Sequence, residues 1–182
     1  MDYQYEDAVA ILRRTPATLI ALLRGLPEAW TTSTEGPDTW SARDIVRHLL
    51  HGDEMAGWRW IDRTHTILEY GEQRNLDSLD WLDTSEEDQH LSLDQLLTLF
   101  EQARAKNLAT LSELHITTEQ LALKGIHPDL GTVTLSQVLA AWVVHDLNHI
   151  GQVVEVLSQQ YAEAVGPWSA FLAILTRPIL TD

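Results

Sequence analysis

"WVVHDLNHIGQVVEV", residues 142–156, decides how the rest of this chain is read. Valine, leucine and isoleucine recur through it, yet two histidines, His145 and His149, stand four apart. On a helix that spacing is one turn plus a small rotation, so both imidazoles share a face. The face runs Val138, Ala141, His145, His149, Gln152, Val156, an apolar stripe interrupted by three polar groups. Burying imidazoles without partners is costly, so something must satisfy them. Two neutral rings one turn apart can bind one divalent ion. The plainer alternative is a hydrogen-bonded pair at a helix–helix contact, and the H-x-x-x-H spacing alone does not choose.

A third histidine shifts the balance. "SARDIVRHLLHGDE", residues 41–54, places His48 between Ile45 and Leu49 on the apolar side of an earlier helix. Second and fourth helices of a bundle can face each other across the core, which would let His48, His145 and His149 converge. Three imidazoles leave a position open for water or substrate, as in catalytic rather than structural zinc sites. With no carboxylate in the set, the ion keeps its +2 charge and its Lewis acidity. Asp44, Asp53, Asp146, Asn148 and Gln152 lie near enough in sequence to orient imidazole N–H groups. Asp44 reads first as a capping residue. Gln152, one turn past His149, is the strongest candidate for supporting a ligand or touching a bound cofactor or substrate. His51 reads as an exposed neighbour ahead of a supporting partner. His65, His90, His115 and His127 read as ordinary polar surface.

The remaining pattern is helical. Apolar residues at helical spacing predict a first helix over 4–24, with Thr15-Pro16 marking either a kink or a fresh start capped by Thr15. A second helix begins at Ser41 with Asp44 at N3 and continues to about Leu68. A third starts at Ser92 with Gln95, and a fourth at Thr134 with Gln137. A short C-terminal helix starts at Pro167. Residues 70–91 read as an acidic loop with a helical turn at "SEEDQH", and "KGIHPDLGTVT" (124–134) as a turn-rich crossover without strands. The fold class is all-α: one domain over 1–182, a four-helix bundle with crossover connections plus the short C-terminal helix.

Composition narrows the function. No cysteine is present, so disulfides, thiolate ligands and a protein-borne thiol nucleophile are excluded, which fits a cytoplasmic chain. "MDYQYEDAVA" is no secretory signal, and the longest apolar run, "VLAAWVV", is far too short to span a membrane. A net charge of −15 repels phosphate backbones, so no nucleic-acid partner is expected. Seven tryptophans suit a core or an interface. Trp58, Trp81 and Trp168 are candidates for a dimer contact or a substrate mouth, with core packing the commoner fate.

"TWSARDIVRHLLHGDE" resembles the start of helix two in the DinB/YfiT-like superfamily, and "HDLNHIGQVVEVL" is similar to its H-x-x-x-H-x-x-Q segment. The resemblance implies a bundle of unusual connection order and metal ligands at His48, His145 and His149. It implies zinc or nickel as the ion, and a homodimer. Many members have Arg after the last histidine; here Ile150 stands there, so an anion contact from that position does not carry over. The leading functional expectation is transfer of a low-molecular-weight thiol, of the bacillithiol or mycothiol type, to an electrophilic small molecule. The alternatives are a hydrolase using metal-bound water, a non-catalytic metal-binding stress-response protein, and a bundle whose histidines only hydrogen-bond.

Overall fold

The computed structural model describes residues 3–37, 39–55, 59–77, 88 and 90–176. The helical turn expected at 85–90 lies mostly outside them, as do Trp58 and Trp81.

The first helical stretch divides into α1 (Tyr5–Leu12) and α2 (Thr15–Leu23). Arg13 and Arg14 keep right-handed helical angles between them, so the chain kinks rather than restarting. Thr15 is therefore no N-cap, and Pro16 falls in the first turn of α2, where its missing N–H is tolerated. A five-residue helix, α3 (Glu28–Thr32), lies in the following connection and was not expected.

Three helix starts follow the sequence closely. Ser41 with Asp44, Ser92 with Gln95 and Thr134 with Gln137 each form a reciprocal capping box. They open α4 (Ala42–Glu54), α6 (Leu93–Glu113) and α7 (Leu135–Gln159). The second helix is shorter than expected. It leaves helical angles at Met55, where ψ is 118°, and resumes as α5 (Trp60–Tyr70). The sequence carries Gly57 in that gap, a residue that weakens a helix interior.

Two further departures concern short elements. The segment 124–134, expected to hold no strand, forms an antiparallel hairpin of β1 (Lys124–His127) and β2 (Gly131–Thr134). Four-residue strands are too brief to show alternation. Gly131 turns the hairpin at a φ of 73°, and Gly125 lets it lie against α5: a Cβ there would stand 2.7 Å from the Ile67 side chain. The expected C-terminal helix is instead 3-10 turns at Gly166–Phe171 and Ala173–Leu175. Trp168 and Phe171 are 71% and 82% exposed, so the segment buries no apolar face that would support an α-helix.

The helices form a bundle whose principal contacts join α1 and α2 to α6 and α7, and α4 and α5 to α6 and α7. The first and second helical units thus stand across a diagonal, as do α6 and α7. Long connections are required for that order, which is the crossover arrangement expected from sequence. Two apolar clusters fill the interior. One joins Leu19, Leu23, Ile45, Leu49, Phe100 and Val153; the other joins Leu12, Ile61, Leu108, Leu139 and Trp142. A polar layer contributed by α4, α6 and α7 separates them. Among the described residues, no helix is long and apolar enough to cross a membrane.

Candidate metal centre

The capping box at Ser41 sets the phase of α4, turning Ile45 and Leu49 inward and His48 with them. On α7 the stripe through Val138, His149, Gln152 and Val156 is buried, with His145 half-buried beside it. The three imidazoles meet where these faces touch. His48 Nε2 lies 3.0 Å from His145 Nε2, which lies 3.2 Å from His149 Nε2. Nitrogens bonded at 2.0–2.1 Å to one tetrahedral ion stand about 3.3 Å apart, so the spacing suits a shared cation.

The surroundings bear on the tautomer of His149 and on the charge of His48. Gln152 Oε1 accepts a hydrogen bond from His149 Nδ1 at 2.6 Å, which puts the proton on Nδ1 and leaves Nε2 bare. His145 Nδ1 is buried and makes no hydrogen bond among the described residues; Asp146 Oδ1 stands 3.9 Å away, too far for one. Burial first, and then neighbouring His149, His145 and His51, pull the His48 imidazole down to about 2. Burial thus holds the His48 ring in the neutral state that a metal ligand requires.

Aromatic rings wall the cluster. Trp40 lies 4.7 Å from the His48 ring and 6.0 Å from that of His149, and Trp60 meets the His145 ring edge-on at 5.3 Å. The sequence places neither tryptophan at the site. The available signal was local: Trp40 directly precedes the N-cap of α4, and Trp60 opens α5.

Below the histidines, Arg104 of α6 binds two buried carboxylates. Its Nε donates to Asp53 at 2.9 Å, and its Nη1 and Nη2 donate to Asp146. Nη1 also reaches the Leu12 carbonyl at 3.0 Å, and Asn107 donates to Asp53 at 2.8 Å. Arg104 and Asn107 escaped sequence reading, although both stand on the buried face of α6. Two acids share one guanidinium, and their titrations split. Burial raises the Asp53 carboxyl to about 6, opposed by Arg104 and Asn107 and reinforced by Asp146. Burial also acts to raise Asp146, but Arg104, together with smaller contributions from His145 and Thr15, outweighs it and holds this carboxyl below the usual range.

The other histidines divide. His51, expected to be exposed, is buried and pairs with Asp88 at 2.7 Å; its position one turn past His48 turns it inward as well. His127 is half-buried and accepts a hydrogen bond from the Asp129 amide in the hairpin turn. His65 is half-buried, while His90 and His115 are exposed. Ile150 packs against the first apolar cluster, so this position supplies no cation to the site.

A crossover four-helix bundle with three convergent imidazoles between its second and fourth helical units defines a class of candidate metal-centre proteins. The chain matches the sequence model of the DinB superfamily over residues 11–153, and it belongs to that family. Its structure is similar to that of YfiT from Bacillus subtilis, described as a probable metal-dependent hydrolase with an unusual four-helix bundle topology. The two share 19% identity at a TM-score of 0.71, covering 88% of this chain and 89% of YfiT. A comparison with curated proteins finds no match.

Arg104→Met leaves two buried carboxylates without their cation and is expected to cost about 3–5 kcal/mol of stability, read from urea midpoints. A loss below about 1 kcal/mol would mean the triad contributes little. The folded chain holds the Asp53 proton from the ordinary 3.8 up to about 6, so ionisation in that window favours the unfolded chain. The wild type should therefore lose stability relative to Asp53→Asn as pH rises from about 4 to 6. His48 contributes the opposite slope over an overlapping range in both proteins, so the difference between their urea midpoints isolates Asp53. A pH-independent difference would contradict the assignment.

Proposed function

We propose that this protein is a metal-dependent enzyme acting on small molecules, with His48, His145 and His149 as ligands of one divalent ion. Three imidazole nitrogens, one from each histidine, within 4.8 Å of one another carry the proposal. Zinc or nickel suits an imidazole-only donor set. Held by three neutral donors, such an ion would keep its full charge, acidify a coordinating thiol or water, and polarise a carbonyl. The chain's own residues set the conditions. Gln152 fixes the tautomer and orientation of His149. Burial keeps His48 neutral at physiological pH. Trp40 and Trp60 give the site an apolar rim suited to an organic substrate.

The favoured reaction is transfer of a low-molecular-weight thiol to an electrophile. It requires no cysteine from the protein and no carboxylate base beside the ion. Asp53 and Asp146 are both committed to Arg104. Hydrolysis is the second reading. It is supported by the similarity to YfiT and by the His51–Asp88 pair, a histidine–carboxylate dyad at 2.7 Å whose histidine lies three residues after His48.

A homodimer is also proposed, formed through the outer face of α7. Val144, Leu147, Gly151 and Val154 are exposed along it, and nothing lies within 4 Å of a Cβ built on Gly151. The charged residues of α7, Asp146 and Glu155, are both buried. This acidic protein therefore presents an uncharged helix face, apolar except for Asn148, on which two copies can meet without repulsion.

Purified protein is expected to carry stoichiometric zinc or nickel by elemental analysis, lost in His145→Ala with unchanged helical circular dichroism. Metal-replete protein should conjugate thiols from a panel to monochlorobimane, and the variant should not. Turnover of activated esters without thiol would favour hydrolysis, and inactivity in both assays with metal bound would favour a binding protein. Sedimentation should give a dimer for the wild type and a monomer for Leu147→Glu. A monomeric wild type would refute the proposed interface.

A further inference from the structure

Arg63 is 4% exposed, yet its Nε and Nη2 atoms have no hydrogen-bond partner among the described residues. Leaving two donors of a buried guanidinium unsatisfied is costly. Part of that cost is offset by Trp60, one turn earlier on α5, whose ring centre lies 5.1 Å from Arg63 Cζ. Burial pulls the guanidinium below its ordinary pKa, and Asp77 opposes this without bonding to it. Other arginines in the fold use the same edge. Arg59 grips Asp62 through Nε and Nη2 at 2.8 Å each, and Arg43 holds the Leu91 carbonyl through the same pair. On Arg63 that edge is buried and finds no acceptor among the described residues.

The indole beside Arg63 is the one that meets the His145 ring at 5.3 Å. Trp60 is thus a wall shared by the histidine cluster and a buried, unsatisfied cation. The Nε–H and Nη2–H groups of a guanidinium point in parallel and match the two oxygens of a carboxylate. A surface of net charge −15 repels anions, so an anionic ligand needs a specific buried cation to hold it.

We propose that Arg63 is the anion-binding residue of this site, gripping the carboxylate of a small-molecule substrate whose reacting group lies at the three-histidine centre. The proposal rests on the metal reading given above, and it narrows the substrate class to organic carboxylates long enough to pass the Trp60 ring. Arg63 does not act on the reacting atoms; it fixes the far end of the molecule.

The test uses cobalt(II)-loaded protein, whose thiolate charge-transfer band reports sulfur binding. 3-Mercaptopropionate should bind about tenfold or more tightly than 2-mercaptoethanol, which lacks the carboxylate. Arg63→Met should bring the ratio to about one, leaving cobalt content and mercaptoethanol affinity unchanged, and Arg63→Lys should restore part of it. Arg63→Met should also be no less stable than the wild type, since it removes an unsatisfied buried charge; a structural arginine would give a clear loss. An equal affinity for both thiols in the wild type, or an unchanged ratio in Arg63→Met, would overturn the proposal. Metal-free protein separates the two readings. Calorimetric binding of succinate that disappears in Arg63→Met would keep the anion site even if cobalt failed to bind. Absence of both cobalt and succinate binding would refute both.

Discussion

One guanidinium between two buried carboxylates sets the geometry on which this structure depends. Arg104 comes from α6, Asp53 from the end of α4 and Asp146 from the middle of α7; the same guanidinium also takes a carbonyl from α1. Asp53 follows His48 on its helix, and Asp146 directly follows His145. Fixing the two acids on one cation therefore fixes the two histidine-bearing helices against each other. A slip of one helical turn, about 5.4 Å, would break the ion pairs and carry His145 and His149 away from His48. Such a triad is a poor source of net stability, because two acids and one base leave a buried negative charge. Its effect is on register. Apolar clusters on either side could slide with modest loss, whereas charge pairs in low dielectric allow one arrangement.

What the sequence reveals follows the range over which each signal acts. Capping boxes are closed within four residues, and all three read from Ser41, Ser92 and Thr134 are present. The H-x-x-x-H pair is equally local, and His48 could be joined to it because its own helix face was apolar. Arg104 could not be found this way. Its meaning depends on acids 51 and 42 positions away, and in its own helix it resembles any lysine or arginine turned to water. His51 was misread for the same reason: Asp88, which holds it, lies beyond a connection with no periodicity. The hairpin at 124–134 is set by contacts of Gly125 with Ile67 and by the pairing of Asn75 with Ile126, both remote in sequence.

The break between α4 and α5 has a functional consequence that a continuous helix would not. A straight helix from 42 to 70 would follow one axis along the bundle, with its apolar stripe rotating slowly past α7. Ending α4 at Glu54 and restarting at Trp60 gives the second unit two independently oriented faces. The first supplies His48 to the cluster and Asp53 to Arg104. The second brings Trp60 against both His145 and Trp142, the latter stacked at 6.2 Å.

The break also places two cations on the same aromatic stack. Arg104 lies 5.1 Å from the Trp142 ring and Arg63 lies 5.1 Å from the Trp60 ring. The first is saturated by carboxylates and fixes the helices; the second is buried with no acceptor for its Nε and Nη2 among the described residues. Identical side chains in similar aromatic settings thus differ in the one respect that separates a structural ion pair from a binding group, namely whether the protein supplies the anion itself. For Arg104 it supplies two. For Arg63 the described residues supply none to Nε and Nη2, and its guanidinium lies over the same indole that walls the candidate metal centre.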